Sequence, residues 1–181
     1  RGIAGTKSFD ELYQWTSEKI GQGKSLNIRT SMVVNKPREE VYRAWRNLSN
    51  LPLFMDHLIN VREEDRMHSQ WEMKLPGGVG TVKWRAEIVK EKEGEMIAWN
   101  SIDEAEIHNA GKISFRDALG GEGTRVDIVI SYKAPLGAPG EKIARVLNPM
   151  FKRMVEKDIH NFKNFVELGE YRTAGTETVT P

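Results

Sequence analysis

The chain reads as an α+β protein in which a curved antiparallel sheet wraps around a long C-terminal helix, with two short helices after the first strand. Three observations predict this. An alternating strand runs into a pair of short amphipathic helices, the period then switches to two from His57 to Pro135, and a broad apolar stripe with helical spacing closes the chain. Consecutive strands joined by short turns pair antiparallel. A stripe wider than the roughly 100° of a surface helix must be covered on several sides, and a concave sheet supplies that cover.

Ser8 and Glu11 have capping-box spacing, and Phe9, Leu12, Tyr13, Thr16 and Ile20 fall near one face, so a short amphipathic helix is expected over about 8–20. Gly21-Gln22-Gly23 ends it, making 1–24 a helix and linker ahead of the main domain. Leu26, Ile28, Thr30, Met32 and Val34 alternate with polar neighbours as the first strand. Pro37 suits a first helical turn, Glu39 and Glu40 suit its positive end, and Val41, Ala44, Trp45 and Leu48 mark its buried face. Ser49 or Asn50 is placed to cap a second short helix carrying Leu51, Leu53 and Phe54.

Ile59 and Val61 open the period-two region, followed by Trp71, Met73 and Leu75 and a turn at Pro76–Gly80. Val82, Trp84, Ala86 and Ile88 then alternate with Lys83, Arg85 and Glu87, so one face is dry and the other wet. Met96–Ile102, Ile107–Leu119 and a strand bearing Val126, Ile128, Ile130 and Tyr132 complete the sheet. The closing stripe runs from Ile143 to Val166 and is interrupted by Pro149. Asn148 makes a good N-cap, which leaves either a short helix at 139–147 followed by a long one at 149–168 or a single kinked helix. Gly169 is a stop signal, residues 25–169 form the domain, and 170–181 lack periodicity and should be disordered.

Composition excludes several classes of function. Lys plus Arg number 27 against 26 for Asp plus Glu, so no net field attracts nucleic acid. Cysteine is absent, which removes thiolate nucleophiles and suits a reducing, cytoplasmic setting. No apolar run is long enough to cross a bilayer. His57, His68, His108 and His160 have no metal-ligand spacing, and Glu104, Glu106 and His108 read as a solvated acidic turn, so no metal or cofactor is expected. Gly77, Gly78 and Gly80 serve a turn between strands rather than a phosphate.

Four motifs carry a resemblance: V-x-x-P-x-x-x-V-Y-x-x-W-x-x-x-x-N-L-P-x-F-M from Val34 to Met55, G-E-x-I-A-W-x-S from Gly94 to Ser101, N-A-G-x-I-x-F from Asn109 to Phe115, and G-x-G-T-x-V from Gly121 to Val126. The chain resembles the bacterial cyclase/dehydrase-type proteins of the START-like (SRPBCC) superfamily. That group includes coenzyme Q-binding START domains, aromatic polyketide cyclases and the birch-pollen-allergen fold. The resemblance implies a helix-grip fold with a hydrophobic cavity between sheet and last helix, and no fixed catalytic motif. Relatives sharing the R-G-x-x-G start, Arg1 to Gly5 here, often carry a membrane segment before it, so a tether upstream of Arg1 is expected.

Parity selects the cavity wall. Trp71, Met73, Trp84, Ile128 and Ile130 should point into the concavity, facing Phe151 and Met154 on the helix, with Met150 on the same surface. Asn100 and Asn109 are polar residues on the expected inward parity, each bonded locally or presented to a ligand. An empty cavity of several hundred cubic ångströms would cost on the order of 10 kcal/mol at ~24 cal/mol per Å³, so it must be small, partly wet or filled. The expected function is non-enzymatic binding or transport of a hydrophobic molecule such as a lipid, quinone or polycyclic compound. A polyketide cyclase/dehydratase-like enzyme is the alternative, and a protein-interaction module a second one, which the missing basic surface disfavours.

Overall fold

The computed structural model describes residues 25–78, 80–134 and 147–169. The helix expected at 8–20, residues 139–146 of the expected short helix and the tail at 170–181 lie outside the described residues. Leu26, Ile28, Thr30, Met32 and Val34 are the buried positions of β1 (Ser25–Val34), as the alternation predicts. The chain then enters α1 (Arg38–Arg46), with Pro37 at the cap position and its carbonyl accepting from the amides of Glu40 and Val41 at 3.0 and 3.1 Å. Acidic residues in the first turn and Arg43 and Arg46 in the last complement the helix dipole.

A single 3-10 turn at Leu48–Asn50 leads into α2 (Leu51–Phe54). The side-chain cap expected from Ser49 or Asn50 is not made. The chain is already helical on arrival, and the Asn50 amide instead donates back to the Ala44 carbonyl at 2.9 Å.

Six strands follow as a meander: β2 (Leu58–Glu63), β3 (His68–Lys74), β4 (Thr81–Lys92), β5 (Met96–Ile102), β6 (His108–Asp117) and β7 (Thr124–Lys133). The sheet order is β1-β7-β6-β5-β4-β3-β2, every pairing is antiparallel, and β1 returns to lie beside the last strand. Register shifts between Leu58 and Asn60 and between Ile88 and Lys90 bend β2 and β4. The first corrects the sequence reading of β2. Ile59 is 46% exposed, whereas Leu58 and Val61 are buried.

Asn148 caps the last helix, α3 (Pro149–Glu167), by accepting from the Met150 amide at 2.7 Å, and Gly169 with φ +72° follows its end. The helix packs along β1 and against α2, and buries Phe151, Val155, Ile159, Phe162, Phe165 and Val166. Met150 belongs to the outer side and is 65% exposed, which corrects its placement on the inner surface. The core fills the space between the concave sheet and the three helices. Trp45 of α1 sits at its centre, edge-on to Phe162 at 5.2 Å and tilted against Phe54 and Trp99.

Candidate ligand-binding site

Antiparallel register sets Trp71 of β3 opposite Trp84 of β4, and side chains opposite one another share a face. The two indoles stack at 5.7 Å and 19°, and Trp71 also stacks on Trp99 of β5 at 6.3 Å and 12°. Met73, Ile128 and Ile130 are buried on the same concave side. From α3, Phe151 sets its ring against Tyr132 at 5.7 Å, and Tyr132 meets Trp84 edge-on at 6.3 Å. Met154 is half-buried at the margin of this cluster.

The two asparagines part company. Asn109 lies opposite Tyr132, faces the interior and is 2% exposed. Its amide is satisfied locally: Oδ1 accepts from Trp99 Nε1 at 3.0 Å and Nδ2 donates to the Ser131 carbonyl at 3.2 Å. Asn100 lies opposite Glu87 and Ala110 on the outer face, half-buried, donating to the Ser101 carbonyl at 3.1 Å. The inward parity expected for it is corrected here. Met96, Ile97, Ala98 and Trp99 are all buried, so the two faces of β5 look alike in sequence.

A pair that sequence reasoning missed stands behind this wall. His57, in the bend before β2, is 1% exposed, and Asp158, on the buried face of α3, is 3% exposed. Asp158 Oδ2 receives the His57 backbone amide at 2.9 Å and lies 2.7 Å from His57 Nδ1. An ionised carboxylate only accepts, so Nδ1 carries the hydrogen and Nε2 is left for another partner. Phe151 packs edge-on against the same imidazole at 6.0 Å. A signal was available, because Asp158 follows Val155 by three residues and precedes Phe162 by four, in the middle of the apolar stripe. A charge there needs a buried partner.

His57, Asn109, Ile130, Tyr132, Trp71 and Trp99 all border one interior void of about 10 Å³, room for about one water molecule. Neither His57 Nε2 nor the Tyr132 hydroxyl has a hydrogen-bond partner among the described residues. Burial, and to a lesser degree the Asp158 charge, push the Tyr132 hydroxyl well above the ordinary phenol range, so it stays protonated and able to donate. A larger hollow of about 320 Å³ lies on the outer face between β3, β4 and the β5–β6 turn. Its walls are charged and already paired, Arg85 to Glu64 at 2.7 Å and to Asp103 at 2.5 Å, and it does not suit an apolar ligand. Among the described residues no cluster of His, Asp and Glu could hold a metal ion, and no helix is long and apolar enough to cross a membrane.

The family model described as polyketide cyclase / dehydrase and lipid transport matches residues 34–163. No curated protein sequence matches the chain. Among solved structures, a Deinococcus radiodurans protein is 35% identical, with 80% of this chain and 98% of that one covered and a TM-score of 0.64. A Thermus thermophilus protein is 20% identical over 78% of this chain and 97% of its own, at TM-score 0.63. The Zhui aromatase/cyclase from Streptomyces sp. R1128 is 16% identical over 84% and 99%, at TM-score 0.60.

Proposed function

Because the chain belongs to the polyketide cyclase / dehydrase and lipid transport family, we propose that it binds a hydrophobic small molecule against the aromatic wall of its concave sheet. The observation that carries this reading is the stacked Trp71–Trp84–Trp99 surface, closed by Tyr132 and Phe151 and interrupted by few polar groups. Ligand sites in soluble proteins are lined in this way, by aromatic side chains with a small number of placed polar groups. The void beside His57 accommodates an oxygen-sized group, so it serves a ligand's polar end. The apolar body belongs against the rings around it. A ligand burying ten methylenes would gain roughly 8 kcal/mol before association costs, enough for micromolar affinity. The binding unit is taken as residues 25–169. Native mass spectrometry of the protein with extraction of its bound lipids tests the reading; a protein that retains no apolar ligand and takes up none from mixed lipid extract overturns it.

A second reading, a cyclase-like enzyme, is favoured by one observation, the buried His57–Asp158 pair next to a protonated tyrosine. A base held by a carboxylate, beside a hydroxyl that can hydrogen-bond a developing oxyanion, is the arrangement that assists proton transfer at carbon. Turnover of aromatic polyketide intermediates, lost on replacing His57, would promote it over simple carriage.

A further inference from the structure

The carrier reading leaves open what chemistry the ligand's polar end has, and the interior void constrains it. We propose that the void is a hydroxyl subsite, in which the ligand's O–H donates to His57 Nε2 and accepts from the Tyr132 hydroxyl. This rests on the carrier reading and deepens it. Asp158 Oδ2 holds His57 through both its backbone amide at 2.9 Å and Nδ1 at 2.7 Å, which makes Nδ1 the donor and leaves Nε2 as the acceptor nitrogen of that tautomer. Tyr132, buried and pushed above the ordinary phenol range, presents a donor. A buried acceptor and a buried donor bordering the same void, neither partnered among the described residues, call for one group that does both.

A hydroxyl meets that demand, and so does a water molecule in the empty protein. A ketone oxygen satisfies Tyr132 alone and leaves the Nε2 lone pair buried and unmet. A carboxylate does the same and also faces the Asp158 charge. Asn109 does not compete for the ligand, because both ends of its amide are occupied by Trp99 and Ser131. The site therefore ranks ligands of one shape by their polar group: alcohol or phenol first, methyl ketone next, carboxylate last.

The test uses four naphthalene probes with the same ring body, 2-naphthol, 2-acetylnaphthalene, 2-naphthoate and 2-methylnaphthalene, in equilibrium dialysis with the full chain. Naphthol is expected to bind at least tenfold more tightly than methylnaphthalene, the worth of about one good buried hydrogen bond. Tyr132→Phe removes an unpartnered hydroxyl without opening a cavity, and should keep the fold while erasing most of that preference. His57→Asn retains a donor toward Asp158 but has no Nε2, and should erase it likewise, with thermal unfolding confirming that the variant is folded. Equal binding of naphthol and methylnaphthalene overturns the hydroxyl subsite and leaves hydrophobic binding standing. A naphthol preference unchanged in both variants also overturns it, and binding of none of the probes counts against the carrier reading on which it rests.

Discussion

The indole of Trp99 lies flat over Gly111, its partner across β5 and β6, so closely that a Cβ on Gly111 would come 2.1 Å from Trp99 Cζ2. Glycine in a strand interior often marks such a close approach. Trp99 is held there by Nε1 donating to Asn109 and by its stack on Trp71. Gly111→Ala must therefore displace a buried indole rather than a flexible chain end. The expected cost is about 1–3 kcal/mol, with altered near-ultraviolet dichroism from the tryptophans, measured by urea unfolding. An alanine variant of parental stability would mean that the stack is looser in solution.

Asn109→Ala and Asn100→Ala should differ sharply. Removing the Asn109 amide leaves Trp99 Nε1 and the Ser131 carbonyl unmet in the interior, costing about 1–3 kcal/mol. Asn100 sits half-buried on the outer face, and its replacement should stay within about 0.5 kcal/mol. Equal effects in a chemical denaturation series would contradict the register of β5.

Much of this architecture was legible in the sequence, for a definite reason. Strands β1, β3 and β4 carry a clear period of two, and in β7 Val126, Ile128, Ile130 and Tyr132 are set off by Arg125, Asp127 and Ser131, so Trp71, Met73, Trp84, Ile128 and Ile130 fell on the concave side as expected. Legibility failed where periodicity carries no information. Strand β5 buries four consecutive residues, which hid the face of Asn100, and a bulge in β2 shifted Ile59 outward. His57 and Asp158 are 101 residues apart and join a loop to a helix, where no spacing rule reaches. Reading the histidines only for metal spacing passed over them. The charge inside the apolar stripe of α3 was the available clue.

Acid should loosen the junction between α1 and β4. Burial, the largest influence on Glu91, pushes its carboxyl up, but a hydrogen bond from Tyr42 and the Arg46 guanidinium together outweigh it and hold it below the ordinary 4.5. Glu167 is likewise held low, first by the Asn35 backbone amide at 2.8 Å, against some burial, and then by Lys163. A group whose folded value is depressed stabilises fully above its unfolded value and loses that contribution as pH falls through the folded one. Urea midpoints should therefore be level from about pH 6 to pH 5 on this account and fall below the ordinary carboxylate value. Glu91→Gln should flatten that decline, and an unchanged slope would mean that Glu91 is not paired in solution.

The last prediction concerns Asp158, whose single oxygen Oδ2 ties α3 to the start of β2. Asp158→Ala removes the acceptor of both the His57 amide and Nδ1, two groups in a residue that is 1% exposed, and leaves both donors unmet. Each buried donor left unmet costs about 1–3 kcal/mol, so the two together are a large part of a domain's stability. Asp158→Asn keeps an oxygen that can stand in the place of Oδ2 and accept both bonds, so it loses the charge but not the acceptor and should cost clearly less than the alanine. Met150→Ala on the same helix, 65% exposed, controls for helix propensity and should move stability by less than about 0.5 kcal/mol. Equilibrium unfolding of the three variants beside the parent gives the ranking. Should Asp158→Ala prove as stable as Met150→Ala, the carboxylate does not hold His57 in solution, and the orientation of Nε2 toward a ligand would lose its support.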